Sequence, residues 1–210
     1  IANFDTLQTK KYKHRFKFDD DRYFFSQDTV LFVVNYQKKQ VERKCTIPYS
    51  NLLIKWDEES VLLCNVKKRK LQIVNISTGA VSDLNDNLKN QFGKTPSDYF
   101  VYAEKLNSYE YLLATVKSGI YIYNRQTNAL YNYRHNPSDP SSISSNNADK
   151  TAYSNNGWAF VVTIPNGISY FNSREVIGNQ NIFQDAAGRI YDGNISCIAT
   201  EDNNTYYLGT

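Results

Sequence analysis

Histidine occurs twice in the 210 residues, tryptophan twice, cysteine three times and methionine not at all. Each scarcity removes a class of function. General-base chemistry has only His14, in a basic lead-in, and His135, in a Pro/Ser-rich stretch, to draw on. A triad of His135, Asp139 and Ser141 would crowd one loop, whereas a triad needs groups converging from a rigid frame. Cys45, Cys64 and Cys197 have no CxxC neighbour, so they form neither a zinc site nor a disulfide framework, and the odd count leaves at least one unpaired. Each lies in an apolar strand pattern, where cysteine behaves as a small buried hydrophobe. A Cys45–Cys64 bridge is the alternative in an oxidising compartment. There is no glycine-rich phosphate loop, and no apolar run approaches the length of a membrane span. The chain starts at Ile1 with no signal peptide, as a processed piece of a longer protein would. Nothing repeats at 3.6 residues, which excludes helical solenoids.

The acidic groups offer no more chemistry. Asp19-Asp20-Asp21 lacks the oxygen-ligand spacing and glycine of a calcium loop and reads as a turn. Glu58-Glu59 and Glu201-Asp202 occupy hairpin turns rather than facing each other as acid and base. The sequence therefore nominates no catalytic, cofactor-binding or metal-ligating residue and no cofactor, and the expectation is a non-enzymatic segment. Net charge is +3, with 18 Lys/Arg against 13 Asp/Glu in residues 1–105 and 6 against 8 in residues 106–210. The excess sits in Lys10-Lys11-Tyr12-Lys13-His14-Arg15 and Lys67-Lys68-Arg69-Lys70. A nucleic-acid face clusters cations in this way. These runs are short and flank strands, so they read as a solvated lead-in and a hairpin tip, with no nucleic acid bound.

What the chain does have is tyrosine, 17 of them, and aromatic residues at 14%, a composition suited to pleated strands. It also has a repeat. The pentapeptide Ile120-Tyr121-Ile122-Tyr123-Asn124 is echoed at 31–35, 71–75 and 168–172, each copy aliphatic, variable, apolar, apolar, Asn. The asparagines Asn35, Asn75, Asn124 and Asn172 are 40, 49 and 48 residues apart. That period belongs to stacked or radially arranged units, and propeller blades lie within it. The asparagines read as strand ends that open turns rather than as a ring of ligand groups.

Turn signals divide the chain accordingly. After an irregular lead-in at 1–15, a β-propeller segment is predicted over 16–210. Its blades fall at 16–47, 52–84, 99–134, 148–184 and, incomplete, 195–210. In the fourth, the last strand is placed at 181–184. The third blade is the clearest, with strands at 99–103, 109–115, 120–124 and 129–134 and a glycine turn at Lys117-Ser118-Gly119. Gly167 and Thr163 repeat Gly119 and Thr115 at a distance of 48. The fifth copy of the pentapeptide falls near position 215, past the last residue, so the expectation is a blade cut short. The predicted class is all-β, a β-propeller of about four and a half four-stranded antiparallel blades within a larger ring. One meander cannot bury both its faces, so neighbours must stack. A β-sandwich is the alternative. Tyr153 and Trp158 flank a loop where aromatic rings could stack on sugar, with core packing the simpler role for Trp158.

The segment Tyr131-Asn-Tyr-Arg-His-Asn-Pro-Ser-Asp-Pro-Ser-Ser-Ile-Ser-Ser-Asn-Asn147 resembles the linker between blades of two-component regulator propellers. There a phrase close to Y-x-H-N-P-x-D-P-x-S-L-S-x-N precedes each new blade. Residues 195–210 are similar to that family's I-x-x-D-x-x-G-x-L-W-I-G-T hairpin, and residues 167–172 to its G-L-x-x-F-N/D strand. The likeness is good over 99–210 and rests on the pentapeptide alone over 16–98. Tyr207 stands where the family has Trp, and Lys68–Lys70 replaces the inner-turn glycine of the second blade. The resemblance implies a periplasmic sensor region of a bacterial hybrid two-component system, built as a homodimeric receptor. It implies an oligosaccharide ligand released from complex glycans, and a partnership with the rest of the ectodomain. Membrane attachment and a histidine kinase would lie in segments outside this chain. The competing readings are a propeller enzyme acting on polysaccharide and a protein-binding propeller scaffold.

Overall fold

Four-stranded antiparallel meanders make up most of the chain. The computed structural model describes residues 14–84, 88–96, 98–154, 157–165 and 167–172, and beyond these the backbone at 175–180, 183–184, 190–191, 197–200 and 206–209. The fold is all-β and divides into two units, Ile1–Asp86 and Asn87–Thr210. The first unit holds two blades. One is β1 (His14–Lys17), β2 (Arg22–Gln27), β3 (Val30–Asn35) and β4 (Gln40–Thr46). The other is β5 (Ser50–Lys55), β6 (Ser60–Asn65), β7 (Lys70–Asn75) and β8 (Val81–Asp83). The second unit holds β9 (Phe100–Lys105), β10 (Glu110–Thr115), β11 (Ile120–Asn124) and β12 (Ala129–Tyr133) as a third blade. The fourth is β13 (Ala148–Tyr153), β14 (Trp158–Thr163), β15 (Gly167–Asn172) and β16 (Glu175–Gln180). Two pairs follow, β17 (Phe183–Gln184) with β18 (Ile190–Tyr191), and β19 (Cys197–Thr200) with β20 (Tyr206–Gly209).

Two boundaries differ from the sequence prediction. A first strand begins at His14, within the stretch read as irregular, and gives the opening blade its fourth strand. The last strand of the fourth blade is Glu175–Gln180, and Phe183–Gln184 pairs instead with Ile190–Tyr191. Val176 and Ile177 are adjacent in a polar segment, so no alternation marked that strand. Residues 1–13 and the tip of the final hairpin lie outside the described residues.

The middle strands β3, β6, β10 and β11 are buried on both faces, whereas β2 buries one. β6 reads Ser-Val-Leu-Leu-Cys-Asn with every residue buried, as expected where a sheet is covered on both sides. Opposing residues across an antiparallel pair share a face, and this sorts the cores. In the first unit, Phe24, Leu31 and Val33 of one blade meet Leu53, Val61, Leu63 and Val74 of the next. In the second unit, Leu112, Ala114, Ile120 and Ile122 meet Ala159, Val161 and Phe171. First strands lie side by side at these interfaces, β9 against β13 and β1 against β5. Cys45 and Cys64 are not joined in a disulfide; Cys64 is fully buried and Cys45 packs against the first core.

The turns follow rules written in single side chains. Between first and second strands, Asp19 Oδ1 accepts from the amides of Asp21 and Arg22 at 3.1 and 2.8 Å. Asn107 Oδ1 does the same for Tyr109 and Glu110 at 2.9 and 3.0 Å. After the third strand, Asn75 accepts from Ser77 and Thr78, and Asn124 from Gln126 and Thr127, all at 2.8–3.1 Å. Asn35 accepts from Lys38 at 2.9 Å. These recurring asparagines therefore cap turns, as expected. Four residues after each, the backbone enters the left-handed region, at Lys39 (φ 49°), Gly79 (φ 75°) and Asn128 (φ 58°). Gly79 adopts this freely, whereas a lysine there carries about 1 kcal/mol of strain. Lys39→Gly should therefore raise the unfolding free energy by about 0.5–1 kcal/mol. Urea denaturation would measure it, and an unchanged or lower midpoint would contradict the assignment.

Candidate functional site

The residues that sequence reading set aside as chemistry fall where turns and linkers need them. His135 donates its backbone N–H to Asn146 Oδ1 at 2.9 Å, and its Nδ1 lies 2.9 Å from the Ile143 carbonyl, which requires the proton on Nδ1. Asp139 Oδ1 accepts from the Ser141 amide at 3.0 Å and hydroxyl at 2.6 Å and makes no bond to His135. The three residues are a loop scaffold and not a triad. Asp19 caps its turn and pairs with Arg22, and Lys55 bonds Glu58 at 2.6 Å. Among the described residues no three His, Cys, Asp or Glu side chains gather as a metal centre. Lys67 and Lys68 donate their amides to Asn65 at the tip of a hairpin. Tyr153 packs against the second core, and Trp158 is half-buried with its ring 6.1 Å from that of Tyr170.

The linker between the third and fourth blades binds both of them. Gly119 of the third blade donates to the Asn146 carbonyl at 2.8 Å, while Ile143 is buried in the core the two blades share. On the other side, Ser144 Oγ lies 2.6 Å from Thr163 Oγ1, and the Ser144 amide donates to Ser169 Oγ at 2.9 Å. Ser145 Oγ donates to the Ile164 carbonyl at 2.9 Å. The serines that make the stretch look like a flexible spacer are its fastenings.

The unusual chemistry lies on the first strands of those two blades. Glu104, on β9, is half-buried, and its side chain makes no hydrogen bond among the described residues. It stands opposite Leu112, and Tyr102, two residues back, stands opposite Ala114, so both side chains share the face that meets the fourth blade. Across the interface, Thr151 and Tyr153 of β13 stand opposite Val161 and Ala159 and share the facing surface. Thr151 is 3% exposed and its Oγ1 has no partner; Asn51 Oδ1, also on a first strand, is likewise unpartnered. The Lys150 ammonium sits 5.6 Å from the Tyr102 ring centroid and 3.4 Å from Asp149. Burial pushes the Glu104 carboxyl up from 4.5 to about 7, and burial also raises the Tyr102 phenol, helped by the Glu104 charge. Sequence reading missed this pair, because each member is unremarkable until the strands are aligned.

A pH dependence follows. Because its folded-state pKa is raised, Glu104 binds its proton more tightly in the folded chain than in the unfolded one. Its share of stability is therefore full below pH 4.5, declines through the window up to pH 7 and is flat above it. Burial pushes the neighbouring Tyr102 phenol up from 10.0, further from that window. Discounted for its exposed part, the penalty is about 2 kcal/mol. Glu104→Gln should leave stability at pH 4.5 unchanged and raise it by about that amount at pH 8, read from urea midpoints across pH. Equal slopes for the two proteins between pH 5 and 7 would refute the buried carboxyl.

No family model and no curated protein sequence matches the chain. Similarity appears in structure. The chain resembles the extracellular domain of a putative one-component system from B. thetaiotaomicron, with TM-score 0.59, 11% identity, and coverage of 95% of this chain and 31% of that one. It resembles the Cps50 β-propeller domain of Myceliophteria thermophila, with TM-score 0.61, 12% identity, and coverage of 94% and 64%. It also resembles PorZ, a surface component of the type-IX secretion system of Porphyromonas gingivalis, with TM-score 0.53, 11% identity, and coverage of 94% and 23%. In each case the chain spans less than two thirds of the other's length. At such identities the likeness is one of fold. The chain is a β-propeller segment, and no helix among its described residues is long and apolar enough to cross a membrane.

Proposed function

We propose that this chain is the ligand-sensing propeller segment of a periplasmic receptor in a bacterial two-component system. It recognises a glycan-derived oligosaccharide and signals to a histidine kinase carried elsewhere in the same protein. The observation that carries this reading is the linker at residues 135–147. Its sequence resembles the linker of two-component regulator propellers, and it fastens two blades through Gly119, Ile143, Ser144 and Ser145. The fold similarity to an extracellular domain of a one-component system, over 95% of this chain, supports the same reading. The proposal gives the chain a binding role without catalysis, in a homodimeric receptor attached to the membrane through another segment.

Calorimetric titration of the intact ectodomain with a panel of glycan oligosaccharides tests it. One structural class of oligosaccharide is expected to bind, without being cleaved. Binding by none of the panel, or release of products from a polysaccharide by the purified ectodomain, would overturn the reading.

A further inference from the structure

The repeat supplies an internal comparison for Glu104 and Thr151. The turn after each first strand opens at Phe18, Trp56, Leu106 and Ser154, with backbone bonds from these residues to Arg22, Ser60, Glu110 and Trp158. Two positions before that point stand Phe16, Ile54, Glu104 and Ala152. Three positions before it stand Arg15, Leu53, Ala103 and Thr151. Where the first blade meets the second, the earlier blade contributes Phe16 and the later one Leu53, and both pack in the same apolar core. Where the third meets the fourth, the same two positions are Glu104 and Thr151. An apolar pair in one interface is a carboxyl and a hydroxyl in the other.

Neither side chain finds a hydrogen-bond partner among the described residues. Burying an unpaired hydroxyl is destabilising, and a carboxyl placed where a repeat elsewhere has Phe, Ile and Ala is more so. The fold keeps both where Leu and Ile would serve packing better. We propose that Glu104 and Thr151 form the polar floor of a binding site between the third and fourth blades, flanked by Tyr102 and Tyr153, for a small neutral molecule with adjacent hydroxyl groups, of the sugar or polyol class.

The class follows from the groups present. Thr151 offers one donor and one acceptor, and a carboxyl near its midpoint at neutral pH offers both as well. Adjacent hydroxyls satisfy such a pair in either direction. An anion is disfavoured by Glu104, and the cation that lies over the Tyr102 ring, Lys150, is already engaged with Asp149. A divalent cation needs more oxygen ligands than one carboxylate and one hydroxyl. The two tyrosines, each two residues from a floor group on the same face, supply the flat apolar surfaces that the C–H face of a sugar covers. One ligand hydroxyl reaches the buried Thr151 while the rest lies over half-exposed Glu104. This assignment rests on the sensing reading for its biological setting.

The test compares the full chain as wild type, T151V, E104I and the double variant E104I/T151L, which copies Ile54 and Leu53 of the second blade. Each is titrated calorimetrically with glucose, mannose, xylose, N-acetylglucosamine and fructose, and with glucuronate and glucosamine as charged controls. At least one neutral sugar should bind the wild type, T151V and E104I should each weaken it at least tenfold, and the double variant should melt higher and bind nothing. The melting temperature separates lost binding from lost folding. Wild-type affinity retained in T151V and E104I would overturn the site and leave the sensing reading standing. So would the absence of binding to this chain when the intact ectodomain does bind an oligosaccharide. A crystal structure soaked in the panel that shows only a water between Glu104 and Thr151 would also overturn it.

Discussion

Gly119→Ala should destabilise the second unit by about 3–5 kcal/mol, enough to leave a large fraction of the chain unfolded at 37 °C. Two independent costs add. Gly119 lies at φ +74°, where an alanine carries about 1–2 kcal/mol of strain. Its missing Cβ would also stand 2.2 Å from the Tyr133 carbonyl oxygen and 2.9 Å from Ile143 Cδ1. The first of these is backbone, so the turn must move rather than a side chain rotate. Moving it disturbs the Gly119 carbonyl, which accepts from the Thr115 hydroxyl at 2.8 Å and amide at 3.0 Å, and the amide that holds the linker at Asn146. Gly79→Ala is the control. It has the same sign of φ, at +75°, but nothing within 4 Å of the added carbon, so it should cost only the strain. Through a urea titration, Trp158 fluorescence reads Gly119→Ala in the second unit and Trp56 fluorescence reads Gly79→Ala in the first; equal losses for the two variants would show that the close approach at Gly119 is absent in solution.

Phe24→Ala should cost the first unit about 3–5 kcal/mol. The ring is fully buried, packed at 4.3 Å from Phe18 and edge-on at 5.1 Å from Phe16. Its removal leaves a cavity between two sheets that cannot close up independently, and it also forfeits two aromatic contacts. Phe18 in turn lies under the Arg22 guanidinium at 4.7 Å and the Lys55 ammonium at 4.2 Å, cations held by Asp19 and Glu58. A Phe18 ring free to tilt into the cavity loosens both. Trp56 fluorescence follows the loss, and Phe24→Leu, which fills most of the space, should recover more than half of it. A loss below 1 kcal/mol for Phe24→Ala would mean the three rings do not form one packed cluster.

Much of this was written in local pattern. Ile120–Asn124 was legible as a strand with its end at Asn124, because apolar residues and a turn-opening asparagine sit side by side in sequence. The cap on the following turn, and those after Asn35 and Asn75, needed only the knowledge that an asparagine carbonyl reaches the amides two and three residues on. Residues 135–147 were legible as a linker but not as a clasp, since their partners Thr163 and Ser169 lie about twenty residues or more away. β16 was misplaced because its apolar residues are adjacent rather than alternating. The signal for Glu104 was present all along. It required aligning first strands by their turns, after which a charged residue stands in a column of Phe, Ile and Ala.

The fourth strand of the third blade, β12, has one further contact. The Gln91 side-chain amide faces its outer side, with Nε2 donating to the Asn132 carbonyl at 2.8 Å and Oε1 accepting from the Asn132 amide at 2.8 Å. One residue earlier, Asn90 bridges to Leu130. A single side chain thus imitates a neighbouring strand, over a rim that also carries the exposed rings of Tyr131 and Tyr133. An unpaired row of amides and carbonyls beside exposed tyrosines is a template on which a second chain can polymerise. Gln91 occupies that template at Asn132, where an incoming strand would otherwise pair.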